Sequence, residues 1–250
     1  MANLKYVLCA TWIISLSASA GAAIKFDKHD TISGVHVESG KKNSTRLYRG
    51  TYSQSFPFSI DAVKNSVVNF HEKCNNSYKD RRQFTDKKAD CKYHNDNLVE
   101  TVVVKDINTA GWVKAEGEVE RYILGRQVYN RGSFGFYEIV TVTESKNAQN
   151  QKVLTVTQRM LSDKETKLYT KPQFRRDSAF DKTTASFTLT EVSPKETTLS
   201  YQYSAETEHW ILNKEVSVPQ VFSSISKSIN DLVKTMEKES QVQALNLASN

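Results

Sequence analysis

The sequence predicts an α+β fold in which a curved antiparallel sheet of about seven strands is crossed by a long C-terminal helix, with a hydrophobic cavity between them. Three observations carry this reading. Six segments rich in Val, Ile, Thr, Tyr and Phe run from Val99 to Glu206, with the short spacing that favours antiparallel pairing. A helical stripe precedes them near residues 59–74, and a second, longer one follows them. A meander of this kind curls as it twists, so its concave face needs apolar matter to fill it.

The elements follow in order. Lys5, the apolar stretch Tyr6 to Leu16 and the small residues Ala18-Ser19-Ala20 have the pattern of a secretion signal over residues 1–22. The apolar run is too short to span a bilayer. The chain is therefore expected to be exported, either periplasmic or secreted, with a single domain over residues 23–239 and a frayed tail over 240–250. Pro and Gly number only 4 and 9, and no linker or repeat interrupts the pattern.

Val35 to Glu38 and Arg46 to Ser55 read as a hairpin around the turn cluster Ser39-Gly40-Lys41-Lys42-Asn43. Phe56-Pro57 ends it, and Ser59 is placed to cap a helix whose apolar face is Ile60, Val63, Val67, Phe70 and Cys74. Residues 75–97 are strongly polar. The six strand segments then cover Val99 to Ile107, Glu120 to Asn130, Phe134 to Glu144, Lys152 to Leu161, Thr184 to Val192 and Thr197 to Glu206. Ser217 as cap and Pro219 in the first turn open the last helix, with Val218, Val221, Phe222, Ile225, Ile229, Leu232, Val233 and Met236 on one face.

Little in the chain points to catalysis. No nucleophile elbow, phosphate loop or dinucleotide fingerprint occurs, and His29, His36, His71, His94 and His209 lack metal-ligand spacing. No metal, cofactor or catalytic residue is expected. With 34 basic and 28 acidic residues the net charge is +6, too mild and dispersed to suggest nucleic acid. Arg121 and Glu138, on strands expected to be neighbours, are a candidate ion pair. Removing the leader takes away Cys9 and leaves Cys74 and Cys91, a pair expected to be oxidised in an exported protein and to stabilise it by about 3 kcal/mol. Asn43-Ser44-Thr45 and Asn75-Asn76-Ser77 match glycan acceptor sites.

The order of strand, helix, polar link, six strands and long helix resembles the helix-grip fold of the START/Bet v1-like superfamily, also called SRPBCC. The resemblance covers residues 46–239. Its local features are Phe56-Pro57 before the helix bearing Val63 and Val67, and the terminal pattern Val221-Phe222, Ile225, Ile229, Leu232-Val233. It implies a tunnel between sheet and last helix that holds lipids, sterols, polyketides or similar molecules. Some members are enzymes, so a cyclase- or hydrolase-like activity is an alternative, and fold alone does not decide it.

Strand alternation and helix periodicity name the lining candidates: Phe187 and Leu189, Leu199, Tyr201 and Tyr203, and Phe222, Ile225 and Ile229 from the last helix. The expected partner is a hydrophobic small molecule or lipid. A different class of function rests on the polar loop 74–92. There Arg81, Arg82, Lys87 and Lys88, interleaved with Tyr78 and Phe84, suit adhesion to an anionic membrane surface or an acidic partner.

Overall fold

The computed structural model describes residues 24–68, 98–106, 118–129, 135–165 and 179–248. Three strands come first: β1 (Phe26–Ile32), β2 (Val35–Lys42) and β3 (Thr45–Phe56). Helix α1 (Ile60–Val68) follows. Then come β4 (Leu98–Asp106), β5 (Glu118–Tyr129), β6 (Gly135–Lys146), β7 (Lys152–Met160), β8 (Lys182–Ser193) and β9 (Glu196–Thr207). A 3-10 turn, Glu215–Ser217, leads into the terminal helix α2 (Val218–Ala248).

Among the described residues the strands form one open sheet of nine, in the order β1-β2-β3-β9-β8-β7-β6-β5-β4, every pair of which is antiparallel. The two meanders, β1 to β3 and β4 to β9, meet where β3 pairs with β9 from Arg46↔Thr207 to Phe56↔Thr197. The sequence predicts about seven strands. Both arms of the first hairpin join the sheet, and β1 adds a strand with no apolar alternation. An edge strand needs none, and the five central residues of β1 are exposed.

The turn between β2 and β3 is also displaced from its predicted place. Residues 39–42 continue β2, and the reversal falls at Asn43-Ser44, with Asn43 at a φ of 55°. Gly40 lies inside the strand because the backbone of Lys25 crosses it. A Cβ there would stand 2.5 Å from the Lys25 carbonyl oxygen, a contact only glycine permits. The β1–β2 turn uses Ser33 and Gly34, both with positive φ, the geometry that suits a two-residue hairpin.

Side chains alternate as period 2 requires. On β8, Thr183, Ala185, Phe187 and Leu189 are buried, and on β9, Thr197, Leu199, Tyr201, Ala205 and Thr207. Helix α1 packs over β7, β8 and β9 and against α2, while α2 lies across β1, β2 and β3. Ser59 caps α1 as expected, its Oγ accepting from Ala62 N at 3.4 Å. Ser217 plays a different part: its hydroxyl donates back to the Ile211 carbonyl at 2.8 Å. The terminal helix continues to Ala248, so residues 240–248 are helical and not frayed. Ser240 is fully buried there, with its hydroxyl donating to Met236 O at 2.7 Å.

Helix α2 approaches the sheet closely at Gly50. A Cβ at that position would meet Ile225 Cγ2 at 2.7 Å and Ile229 Cδ1 at 2.9 Å. In a strand interior, Gly→Ala ordinarily favours folding by restricting the unfolded chain. Here Gly50→Ala is expected to destabilise by about 1–3 kcal/mol, read as a lower urea midpoint at unchanged slope. An unchanged or higher midpoint would show that α2 does not rest on Gly50.

Candidate ligand-binding interior

The interior is bounded by β2, β3 and β6 to β9, with α1 and α2 laid over them. Seven of the eight predicted lining residues are buried in one apolar cluster: Phe187, Leu189, Leu199, Tyr201, Phe222, Ile225 and Ile229. Tyr203 is half-buried against it. Register explains the grouping, because Phe187 stands opposite Tyr201 and Leu189 opposite Leu199, with the Phe187 and Tyr201 rings 4.5 Å apart. Cys74, Cys91, Arg81, Arg82, Lys87 and Lys88 lie outside the described residues.

Polar groups interrupt this apolar wall. Reading across β6, β7, β8, β9 and β3, the register sets Val140, Gln158, Ala185, Tyr203 and Gly50 in one row. The row contains the small residues Ala185 and Gly50, and Ala185 is the residue between Gln158 and Tyr203 in it. Gln158 is 6% exposed, yet its Nε2 has no hydrogen-bond partner among the described residues. An amide N–H held there without a partner costs about 1–3 kcal/mol. Glu138, also buried, is two residues before Val140 on β6 and on the same face. Three other residues carry an unpartnered buried atom: Thr141 on the opposite face of β6, Asn213 after β9, and Ser226 beside Ile225 on α2.

The expected pairing of Arg121 with Glu138 is not set up by the register. Their strands are neighbours, but Arg121 stands opposite Val142, and Glu138 opposite Gly125.

Burial also acts on the phenols of the interior. Burial pushes the Tyr201 hydroxyl far above the ordinary value of 10.0, with Tyr203 and the Glu138 carboxylate adding to the shift. Tyr203 is raised strongly by burial alone. Tyr48 is pushed up to about 12, chiefly by burial, with the nearby Arg46 cation working against the rise.

Sequence reasoning missed a second feature, the fastening beneath the connection from β9 to α2. Arg46 is 1% exposed; it donates from Nε to Asn213 O at 3.1 Å and from Nη1 to Ser39 Oγ at 3.1 Å, and pairs through Nη2 with Glu215. Tyr48 donates to Leu212 O at 2.6 Å, and its ring meets Phe222 edge-on. The available signal was phase: Arg46 alternates in step with Tyr48 and Gly50, which puts a cation on the buried face. Gln158 carries the same signal between Val156 and Met160.

Among the described residues no group of three or more His, Cys, Asp or Glu side chains is placed to hold a metal ion. No described helix is long and apolar enough to cross a membrane.

The architecture is an open antiparallel sheet with a helix after the first meander and a long terminal helix packed across its first three strands. No family model matches the chain, and no curated protein matches it. Among solved structures it is similar to the human StAR-related lipid transfer protein 5, at 13% identity and a TM-score of 0.46, over 88% of this chain and 88% of that one. A STAR-related lipid transfer protein from Xanthomonas axonopodis is similar at 11% identity and a TM-score of 0.46, over 85% of this chain and 96% of that one. A START superfamily protein from Mycobacterium smegmatis is similar at 13% identity and a TM-score of 0.37, over 77% and 97%. Identities this low, with TM-scores below 0.5, assign neither a family nor a function to the chain.

The raised phenol values give a pH test. A group whose folded pKa lies above its unfolded one contributes stability that is whole below the unfolded value and lost as pH rises through the folded one. Stability is therefore expected to hold to about pH 10 and to fall above it, as unfolded Tyr48, Tyr201 and Tyr203 ionise and their folded counterparts do not. Phenolate absorbance should show these three ionising only with unfolding. Their titration in the folded protein at the ordinary value would contradict a dry interior.

Proposed function

We propose that this chain is an exported protein that binds a hydrophobic small molecule bearing one polar end, most simply a lipid, between the sheet and α2. The observation that carries the reading is the Gln158 amide. A wall built only for packing gains nothing from a buried donor without a partner, whereas a wall that receives a ligand oxygen does. The residue opposite the amide on β8 is the small Ala185, and the Phe187–Tyr201 pair lies two residues along the same face. Ile225 and Ile229 would face the apolar body of the ligand from α2. Export is supported by the leader pattern of residues 1–22, and a disulfide between Cys74 and Cys91 belongs to the same proposal.

Native mass spectrometry of the mature protein, followed by organic extraction, tests the reading. A stoichiometric apolar adduct carrying an oxygen function is expected. Protein that is empty and takes up no hydrophobic probe would sink it. Gln158→Leu sharpens the test, because removing an unpartnered donor is expected to raise the stability of the empty protein by about 1 kcal/mol while weakening the adduct. If the adduct survives that substitution undiminished, Gln158 does not hold it.

A further inference from the structure

The connection from β9 to α2 presents three large apolar side chains to solvent: Trp210 is 68% exposed, Ile211 44% and Val216 77%. Apolar side chains in a loose loop can fold back onto the protein. This loop is tied down from beneath. Tyr48 holds the Leu212 carbonyl, Arg46 holds the Asn213 carbonyl and the Glu215 carboxylate, and Ser217 holds the Ile211 carbonyl. Asn213 donates its side-chain amide to the Ser44 carbonyl, and backbone bonds run from Asn213 N to His209 O and from Lys214 N to Ile211 O. Leu212 turns in against the core while its neighbours stay out. The backbone is fixed so that the apolar side chains remain outside.

Charges of both signs surround these side chains, and three of the cations are lysines exposed to solvent. Lys214 is exposed, with its Nζ 4.9 Å from the centre of the Trp210 ring. Lys41 and Lys42 are exposed beside the β2–β3 turn, whose Ser44 carries Asn213. Two carboxylates lie on the same segment: Glu208 accepts from Ser44 and Thr45, bonds that keep it ionised below the usual carboxylate range, and Glu215 is paired with Arg46.

We propose that this rigid connection docks on the surface of an anionic bilayer. Trp210, Ile211 and Val216 enter the headgroup boundary, where an indole is favoured, and Lys41, Lys42 and Lys214 meet anionic headgroups. A peptide partner would need only one of these features, whereas exposed lysines beside an exposed indole and two branched aliphatic side chains fit both parts of an anionic lipid surface. The inference stands on the surface alone and holds whether or not the interior carries a ligand.

Sedimentation of the mature protein with phosphatidylcholine vesicles, with and without phosphatidylglycerol, tests it. Binding is expected to the anionic vesicles, weaker binding to the neutral ones, and a loss on raising the salt. Trp210→Ala with Val216→Ser should abolish most of the binding. Lys41→Ala, Lys42→Ala and Lys214→Ala should each weaken it by about fivefold. All these positions are exposed, and an unchanged thermal midpoint confirms that each variant folds. Equal binding to both vesicle types, no binding to either, or anionic binding that survives Trp210→Ala with Val216→Ser while Arg81→Ala with Arg82→Ala removes it, would each overturn the proposal.

Discussion

The ladder between β3 and β9 is the interaction on which the rest depends. It joins strands whose partners lie far apart in sequence, Arg46 with Thr207 at one end and Phe56 with Thr197 at the other, and so fuses two local meanders into one sheet. Closing so long a loop is entropically costly. The ladder also sets Arg46 and Tyr48 beneath the segment that follows β9, where they bond the carbonyls of Asn213 and Leu212. The direction in which α2 leaves the sheet follows from those bonds, and the seating of Ile225 and Ile229 over Gly50 follows from that direction.

The interior so formed is mostly apolar but not uniformly so. Burial that lifts the phenols of Tyr201 and Tyr203 also raises the cost of an unpartnered amide at Gln158. A purely structural core would place Leu or Met at that position, as it does at Leu154 and Met160 on the same face of the strand. Keeping the amide costs stability, which the ligand oxygen proposed above would restore. The exterior at the β9–α2 connection shows the complementary arrangement, with apolar side chains fixed outside by buried polar bonds.

Much of the fold was legible in the sequence because its signals are local. The strands β6 to β9 were read to within two residues at nearly every end, since Val, Ile, Thr and aromatic residues alternate there without interruption. The α2 stripe and the Ser59 cap were equally direct. What was lost depended on tertiary context. β1 is polar along its length because it sits at an edge. The Gly40-Lys41-Lys42 run has the composition of a turn, yet Gly40 is there to let the Lys25 backbone pass. Residues 240–248 carry little apolar periodicity and stay helical as a continuation of α2. The buried positions of β8, β9 and α2 were legible by phase, but Gln158 and Arg46 were not, because a polar residue in an apolar phase becomes informative only once the face is known to be buried.

The most direct test of the central claim is methyl NMR of the protein with a nitroxide-labelled fatty acid present at one equivalent. Selective broadening of the Ile225 and Ile229 methyl signals, reversed by an unlabelled competitor, is the expected result and places the ligand between α2 and the sheet. Broadening confined to Ile211 and other exposed methyls, with Ile225 and Ile229 untouched, would contradict it and leave the interior a packed core.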